Sequence, residues 1–191
     1  MKIIAFTGEI GHGKSTASAR LQGFYKPEEV TEKSFADPIK RACMAIYGGS
    51  YKNYYGTQAD KAEATPFWAG ALGPNYATYR KIMQTFGTEV MRTHVDREIW
   101  VLCMGAQIAK AREDGKELVV INDLRFDNEA EYIRKEGGSI IECINLNIIK
   151  DTAVSHASEA GIRPELIDMQ LAAKDLDELY AGVETIVQAY G

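Results

Sequence analysis

Eight residues near the start of the chain have the types and spacing of a phosphate-binding loop. They read Gly8-Glu9-Ile10-Gly11-His12-Gly13-Lys14-Ser15. The order matches G-x-x-x-x-G-K-[ST], in which glycines let backbone N–H groups turn towards the β-phosphate of a nucleotide. Lys14 would reach the β and γ oxygens, and the Ser15 hydroxyl would ligate Mg²⁺. We therefore predict a nucleotide-phosphate site with Mg²⁺, with contacts from Gly8, Gly11, His12 through its backbone, Gly13, Lys14, Ser15 and Thr16.

This motif needs a strand before it and a helix after it, because the helix N-terminus supplies positive potential to the phosphates. Apolar β-favouring runs predict strands at 2–6, 30–36, 118–121, 139–144 and 169–172. Helical spacing predicts helices at 13–23, 37–47 with Asp37 as N-cap, 79–94, 100–113, 128–135 and 175–190. Residues 48–79 are predicted to be irregular by composition. Alternating strands and helices predict the α/β class, a doubly wound parallel sheet flanked by helices.

Composition narrows the function classes. The 191 residues carry a net charge of −5, and Lys and Arg are scattered, which argues against stable nucleic-acid binding. The sequence shows neither a signal-peptide pattern nor a run of about 18 apolar residues, so we predict a soluble cytoplasmic protein without a membrane partner. The three cysteines and three histidines are dispersed, which predicts neither a disulfide framework nor a zinc site.

The phosphate loop alone does not separate kinases from GTPases, ATPase motors or nucleotide-dependent switches. A guanine-specific N/T-K-x-D segment is absent after the predicted central strand at 118–121, which argues against a GTPase without excluding one. Other segments must decide between the remaining classes.

Four further segments carry a family resemblance. They are Ser34-Phe35-Ala36-Asp37-Pro38-Ile39-Lys40, the stretch from Arg80 through Gln84-Thr85-Phe86-Gly87-Thr88-Glu89 to Arg92, Asp123-Leu124-Arg125-Phe126-Asp127-Asn128-Glu129 and His156-Ala157-Ser158-Glu159. With the phosphate loop, and in the same order, they resemble the deoxynucleoside monophosphate kinases of tailed phages over nearly the full chain. The resemblance implies an adenylate-kinase-like P-loop fold, Mg·ATP as donor, a deoxynucleoside monophosphate as acceptor and a role in supplying DNA precursors, in the host cytoplasm for a phage protein.

The segment after the strand at 118–121 is predicted to act on the phosphates. An aspartate at the carboxyl end of a central parallel strand projects into the crevice beside the phosphate loop, so Asp123 can orient Mg²⁺. Arg125 can reach the transferring phosphoryl group. The alternatives are a turn residue for Asp123 and a solvated charge for Arg125. The predicted catalytic residues are Lys14, Asp123 and Arg125, and the predicted metal ligands are Ser15 and Asp123.

The resemblance places the Gln84 segment over the acceptor. Arg80 and Arg92 would then bind the monophosphate, and Gln84 would read the base edge. The alternative for Arg80 and Arg92 is that they are solvated arginines on a surface helix. For Asp37 the alternative is a helix cap, and for Trp68 it is a place in the apolar core. The predicted substrate-binding residues are Asp37, Lys40, Arg80, Gln84, Arg92, Trp68 and Glu159.

We predict one domain over 1–191, with an acceptor-binding insertion at 48–100 and a lid segment at 145–163. Family members commonly carry an arginine just after the strand at 139–144, where this chain has Asn145. Either Lys150 or Arg163 would then supply the lid cation. Lys150 is also a predicted nucleotide contact. A solvated loop lysine is the alternative for Lys150.

Two other functions remain open at this level. Phosphomevalonate kinases look similar in the phosphate loop, the Asp-x-Arg strand end and the Ser-Glu segment, and the acceptor distinguishes them. A non-catalytic ATP-binding switch is the alternative from another class. The family resemblance leaves a homodimer open, although no heptad pattern or apolar stripe supports one.

Overall fold

The computed structural model describes residues 1–148 and 161–190. The chain divides into two compact units. The first combines Met1–Phe35 with Val101–Gly191, and the second is Ala36–Trp100.

A parallel sheet forms the centre of the first unit. Its strands are β1 Lys2–Thr7, β2 Val30–Lys33, β3 Leu118–Ile121, β4 Ser139–Asn145 and β5 Met169–Ala173. They lie in the order β2-β3-β1-β4-β5, and Ile4 at the centre pairs with Val120 on one side and Ser139 on the other. Because all pairs are parallel, the carboxyl ends of the strands share one edge, where open α/β sheets bind ligands.

Helices cover the sheet and make up most of the second unit. They are α1 Lys14–Gln22, α2 Asp37–Tyr47, α3 Tyr51–Tyr55, α4 Gln58–Lys61, α5 Pro66–Leu72, α6 Tyr79–Gln84, α7 Ile99–Glu113, α8 Asp127–Lys135 and α9 Leu176–Tyr190. A π-helix at Thr85–Val95 continues α6, and 3-10 turns lie at Pro74–Tyr76 and Pro164–Leu166. Within the described ranges, no helix has the length and apolar character needed to cross a bilayer.

The main core of the first unit lies between the sheet and the helices α1 and α9. Phe6, Val120, Leu21 and Ile186 have no exposed surface there. All four residues of β3 are buried, as expected for an interior parallel strand with both faces covered. Burial of each such side chain contributes about 1.5–3 kcal/mol, so the core fixes the strand ends from which the site is built.

The second unit has its own core of Cys43, Tyr54 and Ile82, enclosed by aromatic side chains. The Tyr54 hydroxyl lies 2.6 Å from the Gly48 carbonyl oxygen, to which it donates. Burial raises the pKa of the Cys43 thiol to about 12, and it does the same for Cys143 in β4. Cys103 on α7 is partly exposed.

The structure confirms the predicted strands and long helices, but β2 ends at Lys33 and not at residue 36. Ser34 and Phe35 instead bond the carboxylate of Asp123. The prediction of Asp37 as N-cap was also wrong, because Ala36 holds that position and Asp37 is the first helical residue.

The prediction that residues 48–79 are irregular was wrong as well. This stretch contains α3, α4, α5 and a 3-10 turn. Reciprocal hydrogen bonds of Ser50 with Asn53 and of Thr57 with Asp60 begin the first two helices, and Pro66 begins the third. The glycines and prolines of this stretch mark breaks between very short helices. Their abundance gives the stretch the composition of a loop.

We expect Gly182→Ala to destabilise the chain. A Cβ atom at Gly182 in α9 would lie 2.0 Å from Cδ1 of Leu171 in β5. Overpacking of this kind costs about 1–3 kcal/mol, more than the gain of about 1 kcal/mol in helix propensity. Gly70→Ala in α5 is the control, because a Cβ there meets nothing within 4 Å. Urea unfolding should rank Gly182→Ala below the parent and Gly70→Ala at or above it, and equal stability of the two variants would contradict this packing.

Candidate functional site

The phosphate loop connects the end of β1 to the start of α1. Gly8, Gly11 and Gly13 have φ values of 126°, 86° and 84°, a region that side chains other than glycine rarely adopt. A Cβ atom on Gly8 would also lie 2.4 Å from the carbonyl oxygen of Cys143 in β4. The glycine at position 8 is therefore required by both backbone conformation and close contact with the neighbouring strand.

Lys14 is the first residue of α1, and its ammonium group lies over the loop. Its Nζ donates to the carbonyl oxygens of Gly8 at 2.7 Å and Glu9 at 2.6 Å. Burial, followed by the positive charge of Arg125, lowers the pKa of Lys14 to about 8, and the charge of Asp123 acts in the opposite direction. The three predicted catalytic residues therefore lie within one electrostatic site, and Lys14 is mainly charged at neutral pH.

His12 connects the loop to β4. Its Nδ1 lies 3.2 Å from the Cys143 carbonyl oxygen, which can only accept, so Nδ1 carries the proton of this hydrogen bond. The backbone N–H of His12 donates to the Glu9 carbonyl at 3.3 Å. The imidazole thus holds the loop against the sheet, a structural contribution that the sequence analysis did not anticipate.

Asp123 lies in the turn that follows β3, at the carboxyl edge of the sheet. One carboxylate oxygen accepts from the Ser34 hydroxyl at 2.6 Å, and the other accepts from the Phe35 N–H at 2.9 Å. The next residue, Leu124, is fully buried, and its N–H donates to the Phe6 carbonyl at 3.2 Å. The turn is therefore attached to β1 and to the segment after β2.

The second half of the same turn is held by Glu129 of α8. One oxygen of this carboxylate accepts from the N–H of Arg125 at 2.9 Å and from the N–H of Phe126 at 3.2 Å. Glu129 is only 2% exposed. The turn that carries Asp123 and Arg125 thus has hydrogen bonds on both sides.

The residues predicted to hold Mg²⁺ offer suitable donors. Ser15 is exposed in the first turn of α1, which follows β1, and Asp123 lies in the turn after β3, the strand next to β1. Both residues therefore lie at the carboxyl edge of adjacent strands. Among the described residues there is no group of three or more His, Cys, Asp or Glu side chains able to enclose a metal. One hydroxyl and one carboxylate are the kind of sparse oxygen set with which Mg²⁺ binds together with substrate phosphates.

Within the second unit, Asp37 and Lys40 form a charged face of α2 with Arg41. The Asp37 carboxylate accepts from Nε of Arg41 at 2.7 Å and from the Tyr55 hydroxyl at 2.7 Å. Nζ of Lys40 lies 4.9 Å from the centre of the Tyr55 ring, which also stacks on Tyr51 with the ring centres 4.2 Å apart. This face combines cations with flat aromatic surface.

The other predicted acceptor residues lie along α5, α6 and the π-helix. Arg80 donates to the Gln58 side chain, Arg92 donates to the Arg97 carbonyl at 3.2 Å, and Gln84 ends α6. Trp68 packs edge-on against Tyr47, and its Nε1–H donates to the Tyr47 carbonyl at 2.8 Å. Trp68 is thereby held in the aromatic cluster of its own unit.

Two predicted site residues, Lys150 and Glu159, lie outside the described residues, as does most of the predicted lid segment. Asn145 ends β4, and its side chain accepts from the Asn147 N–H at 2.9 Å. Arg163 donates to Asp127 at 3.0 Å and also pairs with Glu131, so α8 holds its guanidinium.

Sequence reasoning missed four residues that shape the site: Ser34, Arg41, Tyr55 and Glu129. The Ser34 hydroxyl bonds Asp123, a contact that exists only once the sheet has formed. Glu129 had a local signal, because a glutamate three residues after a helix N-cap commonly accepts the N–H of that residue. A usable signal existed for Arg41, since it stands four residues after Asp37, the spacing of helical ion pairs.

We expect nuclear magnetic resonance of ¹³C-labelled lysine side chains to give Lys14 a titration midpoint near pH 8. Arg125→Ala should raise this pKa, because it removes a repelling charge, and Arg125→Lys should raise it less. Burial remains in both variants, so the value should stay below 10.5. Arg134→Ala, at an exposed arginine of α8, is the control. A Lys14 midpoint that does not respond to Arg125→Ala would contradict the shared site.

The family model for deoxynucleotide monophosphate kinase matches residues 71–183, more than half of the chain. A protein of Acanthamoeba polyphaga mimivirus described as "Putative deoxynucleotide monophosphate kinase" is 32% identical over 98% of this chain and 96% of its own length. The deoxynucleoside-5′-monophosphate kinase of Escherichia phage T5 is 35% identical over 50% of this chain and 39% of that enzyme. The deoxynucleotide monophosphate kinase of Escherichia phage RB69 is 27% identical over 57% of this chain and 44% of that enzyme. By the family match and the full-length viral relative, this chain belongs to the deoxynucleotide monophosphate kinase family.

Proposed function

We propose that this chain transfers the γ-phosphoryl group of ATP to the 5′-phosphate of a deoxynucleoside monophosphate, giving ADP and a deoxynucleoside diphosphate. Family membership gives the enzyme class, a monophosphate kinase. The donor, the metal and the roles of individual residues are inferred from the site. The observation that carries this inference is the glycine loop with Lys14, Asp123 and Arg125 in one electrostatic site.

Phosphoryl transfer asks the protein mainly for alignment and for neutralisation of the charge that develops on the phosphate oxygens. Lys14 can leave the Gly8 and Glu9 carbonyls to bind the β and γ oxygens, and the loop N–H groups surround the β-phosphate. Arg125 supplies a second positive charge, which stabilises the transferring group. The phosphate oxygen of the acceptor is already a nucleophile at neutral pH, so no general base is required.

Mg²⁺, when bound, neutralises charge on the β- and γ-phosphate oxygens. Ser15 and Asp123 are the residues that would hold it, directly or through water. The hydrogen bonds from Ser34 and Phe35 fix the direction of the Asp123 carboxylate.

We assign acceptor binding to the second unit, within the insertion predicted at 48–100 and the adjoining α2. Cations and planar side chains support this assignment, since a deoxynucleotide offers one phosphate and one flat base. The proposed contacts are Asp37, Lys40, Trp68, Arg80, Gln84 and Arg92. Lys150 and Glu159 remain proposed contacts from the lid segment, and the phage relatives support a place in the host cytoplasm.

Lys14→Ala should abolish transfer while the chain stays folded, because it removes the cation that neutralises the β and γ oxygens. The assay supplies Mg·ATP with each of the four deoxynucleoside monophosphates, one ribonucleoside monophosphate or phosphomevalonate, and resolves products by chromatography. Lys26→Ala, which changes an exposed lysine of the same unit, is the matched control and should retain full turnover.

Conversion of at least one deoxynucleotide is the expected result for the parent chain. Conversion of phosphomevalonate alone would show that the acceptor is misassigned while the phosphate site stands. If no acceptor reacts although ATP binds, the kinase proposal fails and a nucleotide-dependent switch takes its place.

Arg80→Ala and Arg92→Ala should each raise KM for the deoxynucleotide and leave KM for ATP unchanged. Loss of one charge-assisted hydrogen bond to a phosphate costs about 1.5–3 kcal/mol, which corresponds to a rise of roughly tenfold or more. Arg134→Ala is the control, as its guanidinium pairs with Asp168 at 3.5 Å in the first unit. A change in KM for ATP of equal size would exclude the acceptor role.

A further inference from the structure

We propose that Glu129 is a positioning residue, which holds Arg125 at the phosphate site through the backbone of the turn between β3 and α8. This inference rests on the proposed function, because it assigns Glu129 a part in the reaction only through the catalytic role of Arg125. Glu129 itself does not contact the reacting phosphates.

Burial is the first observation that supports this role. Glu129 is 2% exposed, and a carboxylate removed from water is stable only when hydrogen bonds compensate its lost hydration. The same oxygen accepts the N–H groups of Arg125 and Phe126 at 2.9 and 3.2 Å. A buried acceptor with two adjacent backbone donors fixes the position of the peptide group that carries the Arg125 side chain.

The rest of the turn leaves little other freedom for Arg125. On its N-terminal side, the Asp123 carboxylate is bonded to Ser34 and Phe35, and Leu124 is buried and bonded to Phe6. Glu129 supplies two hydrogen bonds on the C-terminal side. Their loss would loosen the peptide group that carries Arg125, and the Arg125 side chain would sample a wider volume.

Glu178 is a comparison residue, a glutamate at the same helix position as Glu129 but in α9. It is the third residue of α9, as Glu129 is the third residue of α8, and it accepts the backbone N–H of Lys174 at 3.0 Å. Glu178 is only partly buried and pairs with the Lys174 ammonium at 2.7 Å. Removal of either carboxylate deletes a hydrogen bond at a helix start, but only Glu129 holds a residue of the phosphate site.

The test measures kcat and KM for Glu129→Ala, Glu129→Gln and the control Glu178→Gln. We expect Glu129→Ala to lower kcat by roughly tenfold or more, since a displacement of about 1 Å can cost about 10²-fold. KM for the deoxynucleotide should stay within about twofold, because an interaction made in the transition state appears in kcat. Glu129→Gln keeps an acceptor oxygen and the side-chain size, so it should retain more activity and should fold where Glu129→Ala does not.

The decisive arm combines Glu129→Gln with Arg125→Ala. If Glu129 acts through Arg125, the double variant should be no slower than Arg125→Ala alone. Multiplication of the two kcat losses would overturn the inference and leave the proposed function intact. An Arg125→Ala variant with parental kcat would overturn the inference and the catalytic role of Arg125, although the kinase activity itself would stand. Equal kcat losses for Glu129→Gln and Glu178→Gln would overturn the inference as well, because Glu129 would then act only as a helix cap.

Discussion

Repulsion between two cations, Lys14 and Arg125, sets the conditions for the rest of the site. Like charges stay together in a partly buried place only when covalent and hydrogen-bonded structure holds each of them. Lys14 is held by the start of α1, and Arg125 is held by the turn after β3. The parallel pairing of β1 with β3 brings both elements to the same edge of the sheet. The resulting positive potential exists before a phosphate arrives, so little reorganisation is needed to stabilise negative charge.

The first unit could be predicted well from the sequence because its signals are local. The phosphate loop has a fixed spacing, and apolar runs such as 118–121 are typical of buried parallel strands. The end of β2 could not be predicted in the same way. Ser34 and Phe35 have strand-like composition, but their hydrogen bonds go to Asp123, which is distant in sequence and adjacent only after the sheet has formed.

The second unit was predicted less well, because its elements are short and depend on each other. A helix of five residues such as α3 is not stable alone, and here it is stabilised by the buried Tyr54 ring and by the Ser50–Asn53 cap. The charged face of α2 illustrates the same difficulty. Asp37 and Lys40 were found by family resemblance, while the part played by Tyr55 follows from packing between two helices.

The burial of two thiols has a practical consequence for covalent chemistry on this chain. A thiol reacts with maleimides and oxidants as its thiolate, and a pKa of about 12 for Cys43 and Cys143 keeps both almost entirely protonated at neutral pH. Cys103 is the partly exposed cysteine and lies on α7. The native sequence therefore offers a single preferred attachment point for a fluorescent reporter on the first unit, with no need to replace the other two cysteines.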